Sequence, residues 1–109
     1  MKKSVDDIRL ILEDLKGELQ KIYGRRLKSL FLYGSYARGD ATEGSDIDIL
    51  MLIENGEKRD VLERRRSKMI SDICLKYDTL VSTLIVPENT FYEWELPLYL
   101  NIRREGVRL

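Results

Sequence analysis

Two aspartates one residue apart, Asp46 and Asp48, open the apolar run Asp46-Ile47-Asp48-Ile49-Leu50-Met51-Leu52-Ile53. On a β-strand such residues share a face and lie ~7 Å apart. Two carboxylates placed that way repel each other and are costly to desolvate. A divalent cation between them reverses the sign of that interaction. Magnesium suits the arrangement, since it takes one or two carboxylates, several waters and the phosphate oxygens of a substrate. Upstream, Gly34-Ser35 follows the compact apolar run Leu30-Phe31-Leu32-Tyr33. Glycine lets backbone approach a ligand closely, and N–H groups at a helix start, with the Ser35 hydroxyl, can hold phosphate oxygens. Arg38, one helical turn beyond Ser35, brings a planar donor fork within reach of the same phosphate. The P-loop signature is absent, so phosphate binding here is of another kind. Taken singly, each feature has a plainer reading: a turn, an exposed strand edge, a surface charge. Their conjunction, cradle then carboxylates on consecutive strands, is what points to phosphate chemistry.

The stretch Gly34-Ser35-Tyr36-Ala37-Arg38-Gly39-Asp40, followed by Gly44-Ser45-Asp46-Ile47-Asp48, resembles the minimal nucleotidyltransferase (MNT) domain of the DNA polymerase β superfamily. That signature is a Gly-Ser, some ten residues, then Asp-x-Asp. The tail Pro97-Leu98-Tyr99-Leu100-Asn101-Ile102-Arg103-Arg104-Glu105-Gly106 is also similar to the endings of these small proteins. The resemblance implies transfer of AMP from ATP. It also implies that Asp46 and Asp48 hold two magnesium ions, that Gly34 and Ser35 hold the β- and γ-phosphates, and that Arg38 assists. In two-metal chemistry one ion activates the attacking hydroxyl and the other steadies the departing pyrophosphate. The family places a third carboxylate on the next strand. Alignment puts Leu80 at that position, which leaves Asp78 in Tyr77-Asp78-Thr79-Leu80 as the nearby candidate for third metal ligand and catalytic group. Its plainer reading is an aspartate at a strand entrance.

Stand-alone members of this family are often antitoxins of HEPN/MNT pairs, which inactivate a HEPN toxin ribonuclease by adenylylating a tyrosine. The same partner is implied here, in a homo- or hetero-oligomer. A second reading, motivated by Leu80, is a non-catalytic module that masks its partner by contact. A free-standing small-molecule nucleotidyltransferase is the third, and no acceptor-binding sequence supports it.

The elements that must position these groups are legible in the hydrophobic spacing. Ser4 with Asp7 resembles a capping box, and Val5, Ile8, Ile11, Leu12, Leu15, Leu19 and Ile22 form one stripe on a helix over 4–23, stopped at Gly24. A basic connection, 25–28, leads to a buried strand over 30–33. Residues 34–45 are turn-rich, with a short helical turn expected from Ser35, and strand character returns over 46–53. Val61, Leu62, Met69, Ile70, Ile73 and Cys74 fit one face of a helix over 58–76, in which Arg64-Arg65-Arg66 and Lys68 read as a solvated face. Residues 79–86 form a third strand ended by Pro87, and one or two short helices, closed by Gly106, complete the chain. The expected fold is α/β (α+β): a small mixed sheet of three or four strands with helices packed on it, forming a single domain over 1–109.

Composition narrows the field further. Lys+Arg and Asp+Glu are 19 each, so direct nucleic-acid binding is not expected. With no histidine, Ser-His-Asp and Cys-His catalysis and histidine metal sites are excluded. The lone Cys74 permits no internal disulfide and reads as buried filler in a reducing compartment. The longest apolar stretch, 47–53, falls far short of the ~20 residues a membrane span requires, and acidic residues soon follow Met1-Lys2-Lys3, so a cytoplasmic protein is expected.

Overall fold

The computed structural model describes residues 2–55 and 60–109. These form a mixed four-stranded sheet flanked by helices. The strands are β1 (Leu27–Tyr33), β2 (Ile47–Ile53), β3 (Val81–Pro87) and β4 (Val107–Arg108), in spatial order β3-β2-β1-β4. β1 runs antiparallel to β2 and β4, whereas β2 and β3 are parallel. The helices are α1 (Arg9–Tyr23), α2 (Ser35–Arg38), α3 (Asp60–Tyr77), α4 (Glu88–Glu93) and α5 (Pro97–Glu105).

β2 is buried at every position but Asp48 because helices cover both of its faces. A strand enclosed on two sides reads as a continuous apolar run, as this one does. Ile47, Ile49, Met51 and Ile53 face α1 and α3, packing with Leu15, Leu19, Leu62 and Ile73. Leu50 and Leu52 face the other way, onto α4 and α5 through Phe91 and Ile102. Asp48 shares that second face, because side chains two apart on a strand point the same way. The parallel pairing of β2 and β3 needs a crossover, which α3 supplies.

Several sequence expectations shift by a residue or a class. The first helix begins as a 3-10 turn, Val5–Ile8, before α1. Its start is fixed by the Ser4 N–H donating to Asp7 Oδ2 at 2.8 Å. β1 begins at Leu27 within the expected basic connection, and β2 begins at Ile47, one residue after Asp46. The expected start of the long helix at Lys58 lies outside the described residues. Within α3, Leu62, Met69 and Ile73 are buried but Val61 is exposed, and Cys74 is only half-buried. Arg64, Arg65 and Lys68 are solvated, while Arg66 donates to the buried Tyr23 hydroxyl at 3.0 Å, tying α3 to α1. The sequence allows for a fourth strand without placing it, and β4 supplies it. Its two residues pair with Phe31 and Leu32, a contact no local pattern announces. None of the described helices is long and apolar enough to cross a membrane.

Phe91 anchors the second face. It is fully buried, with ring centroids 5.7 Å from both Phe31 and Tyr99. Replacing it with alanine is expected to cost about 3–5 kcal/mol through lost burial and a residual cavity. The urea midpoint of Phe91→Ala should fall accordingly, and a midpoint equal to wild type would show that α4 is not anchored there.

Candidate active site

The site is assembled at the mouth of the sheet, where β1 ends and β2 begins. Gly34, with φ +77°, turns the chain out of β1 into α2. That left-handed region is open to glycine at little cost. Steric closeness adds a second demand: a Cβ at position 34 would lie 2.5 Å from Asp48 Oδ2. The turn after β1 thus rests directly on a carboxylate of β2. The first N–H groups of α2 have no acceptor within the helix. Gly39, at φ +80°, closes α2 in the left-handed conformation.

Strand register sets the remaining neighbours. Tyr33 on β1 pairs with Asp48, and Asp48 pairs with Ser82 on β3. These three side chains share the face covered by α4 and α5. One step back, the Ile47 N–H donates to the Leu80 carbonyl at 2.9 Å, which sets Leu80 beside Asp46. The loop into Asp46 is tightened by Ser45, whose Oγ accepts from the Thr42 N–H at 2.9 Å while its own N–H donates to the Thr42 carbonyl at 3.0 Å. A cleft of about 130 Å³ opens beside Gly34, bounded by Tyr33 and Arg38 on one side and Asn101 and Glu105 of α5 on the other. Arg38 also lies 3.5 Å from Asp40.

The electrostatics follow from this crowding. Burial pushes the Asp48 carboxyl above the usual carboxylate range; the Asp46 charge pushes the same way and Arg38 pulls it back. Burial, and then the Asp48 charge, raise the Tyr33 phenol. Two mutually repelling carboxylates, one partly desolvated, fit the two-carboxylate mode in which magnesium is held together with substrate phosphates.

Asp46, Asp48, Gly34 and Arg38 are therefore brought together as the spacing implied, with Ser35 opening the adjoining helix. Asp78 is not. Among the described residues, no three His, Cys, Asp or Glu side chains converge closely enough to hold a metal. Asp78 lies before β3 begins, at φ +50°, where it terminates α3. The Thr79 N–H reaches back to the Cys74 carbonyl at 3.1 Å, the closing bond of a left-handed helix stop, a conformation aspartate tolerates. Asp78 lines a separate cavity with Gly44, Ser45 and Tyr77. Its presence is explained by the backbone.

Tyr33, Ser82, Asn101 and Glu105 join the site without having been singled out. Lateral register places the first two, and no single-strand pattern encodes that. The tail resemblance covered the other two but carried no geometry.

Residues 12–104 match the model of the nucleotidyltransferase domain. The chain belongs to the nucleotidyltransferase domain family. Among its relatives is a Methanocaldococcus jannaschii protein, provisionally named a protein adenylyltransferase, that is 38% identical over 76 residues, covering 69% of this chain and 75% of its own. The fold of this nucleotidyltransferase domain is shared with a structure described provisionally as a minimal nucleotidyltransferase, with TM-score 0.63 and 22% identity across 97% of this chain and 96% of that one. A second solved structure, a toxin–antitoxin with AMP-PNP, aligns with TM-score 0.60 and 20% identity over 88% of this chain and 70% of its own.

Two outcomes are expected of the carboxylate contact. Gly34→Ala, which needs both a strained φ and displacement of Asp48, should cost about 1–3 kcal/mol in thermal or urea unfolding, and wild-type stability would count against the contact. Asp48 has a folded-state value above its unfolded one, so its ionisation costs stability once the pH exceeds the unfolded value, in full above the folded one. Asp48→Asn should therefore raise the melting temperature of the metal-free protein at neutral pH. That gain should fade as the pH drops through the raised folded-state value to the ordinary carboxylate one.

Proposed function

We propose that this nucleotidyltransferase moves AMP from ATP to a hydroxyl of a partner protein, a tyrosine of a HEPN-family toxin, and so acts as an antitoxin. The observation that carries the reading is the Gly34–Asp48 approach, which joins a phosphate-cradling turn to a carboxylate pair at a distance only glycine permits. The protein-adenylyltransferase relative and the toxin–antitoxin neighbour with AMP-PNP support the substrate class and the kind of partner.

In this mechanism the turn at Gly34 and Ser35 offers N–H and hydroxyl donors to the β- and γ-phosphates. Arg38, on the same cleft, supplies positive charge where negative charge builds as pyrophosphate departs. Asp46 and Asp48 would hold two magnesium ions, and bound magnesium lowers the pKa of the attacking hydroxyl and screens the leaving group. The acceptor oxygen attacks the α-phosphorus, the bond to the β-phosphate bridging oxygen breaks, and the hydroxyl proton leaves toward the carboxylate pair. Ser82, beside Asp48, stands where a neighbouring strand can offer a hydroxyl and no charge. Asp46 and Asp48 would then be the two carboxylates holding magnesium, with substrate phosphates supplying further oxygens.

A second reading, masking by contact without transfer, is favoured by one observation. Leu80, 64% exposed beside Asp46, presents an apolar surface at the site. The Asp46→Ala, Asp48→Ala double variant separates the two readings. With purified partner and magnesium-ATP, wild type should add an AMP-sized mass to the partner, and the double variant should lose about a thousandfold in rate, the worth of several kcal/mol of charge stabilisation. A variant that neutralises the partner as well as wild type would leave masking as the function.

A further inference from the structure

Four large apolar side chains, Tyr92, Trp94, Leu96 and Leu98, stand 43–57% exposed along α4, the start of α5 and the segment joining them. Exposed apolar surface concentrated in this way marks an interaction site. This stretch is held in place from beneath. Arg103 of α5 spends two of its guanidinium donors on the carbonyls of Tyr92 and Trp94, at 3.1 and 3.3 Å, with its carbon centre 5.8 Å from the Phe91 ring centroid. Phe91 itself is buried, so the backbone that carries these apolar groups is anchored, which lowers the cost of ordering it on binding. Leu98 belongs at once to this surface and to the cleft at Gly34 and Arg38, which makes the patch continuous with the reaction site. Glu93 and Glu95, both exposed, flank Trp94.

We propose that residues 92–98 are the docking face for the acceptor protein, which brings to it an apolar socket for Trp94 rimmed by lysine or arginine for Glu93 and Glu95. This rests on the adenylyl-transfer reading above. Charge argues for this occupant over a second copy of the chain. A two-fold contact through Trp94 would set Glu93 and Glu95 against their own counterparts, and like charges across an interface are penalised. The copy would also cover Leu98 and the cleft that the acceptor hydroxyl must enter.

The test begins with α-phosphate-labelled ATP and magnesium in a lysate of the source organism, and continues with the protein that becomes labelled, purified. Trp94→Ala should raise the KM for that protein about tenfold or more, as loss of a buried aromatic anchor does, with kcat and affinity for AMP-PNP within about twofold of wild type. Glu93→Lys with Glu95→Lys should raise the KM too, and the loss should shrink as salt is added. Leu10→Ala, an exposed apolar change on α1, should leave all three constants unaltered. An unchanged acceptor KM in both the Trp94 and the Glu93/Glu95 variants overturns the docking face while leaving adenylyl transfer intact. A wild-type chain that labels no protein overturns adenylyl transfer, and this proposal with it. A dimer of the isolated chain that Trp94→Ala dissolves gives the face to a second copy and overturns the proposal alone.

Discussion

The close approach of Gly34 to the Asp48 carboxylate governs how the rest of this small domain is arranged. A carboxylate oxygen lies 2.5 Å from where the Cβ of any other residue would sit, so the turn out of β1 and the start of β2 are packed against each other. The β1–β2 register is fixed by the same contact, with Tyr33 directly across from Asp48. Once that register holds, alternation along β2 sends Ile47, Ile49 and Met51 to the α1/α3 core and Leu50 and Leu52 to Phe91. A slip by one residue would turn both aspartates toward the α1/α3 core and send Ile47, Ile49 and Met51 to the face that α4 and α5 cover. Core and chemistry are thus specified by one alignment of two strands.

Placing a charge pair at the end of the most buried strand has an energetic side. Burial and the neighbouring carboxylate both disfavour ionised Asp48 and hold its carboxyl above the usual range, against the pull of Arg38. Functional sites commonly carry such unfavourable charge, relieved when the ligand arrives. Apolar Leu80 beside Asp46 and the hydroxyl of Ser82 beside Asp48 add no third negative charge to the cluster. In the proposed reaction a cation and a polyphosphate at this mouth would depend on two carboxylates and one nearby arginine.

Most of the fold was legible in the sequence because local rules carry it. The stripe from Ile8 to Ile22, the stop at Gly24, the Gly34–Ser35 turn and the dense run 47–53 each follow from periodicity or from backbone freedom at a glycine. What escaped was non-local or conformational. β4 is two residues long and exists only because β1 offers it an edge. Asp78 looked like a strand residue because β-branched neighbours follow it, yet its backbone bends left-handed to end α3, and the strand waits until Val81. Tyr33 and Ser82 entered the site through lateral pairing, which a one-dimensional pattern does not contain. The aromatic residues 91–94 divide between roles: Phe91 lies in the core while Tyr92 and Trp94 stand outside. Spacing on helices this short could not have separated them.

The placement of β4 bears on the order in which the sheet can form. The carboxylates and the turn beside them lie on a hairpin spanning 27–53, whose contacts are close in sequence and cheap to close. β4 pairs with Phe31 and Leu32 from far along the chain, after α5 and the tight bend at Gly106, where a Cβ would meet the Ile102 carbonyl at 2.6 Å. During synthesis the reaction centre can therefore take shape while the outer edge of β1 still has nothing beside it. An open strand edge is a template for pairing with other chains. Val107, Arg108 and the Leu109 N–H, which reaches the Leu30 carbonyl at 2.9 Å, close that edge, so residues made long after the hairpin are what keep it from pairing with other chains.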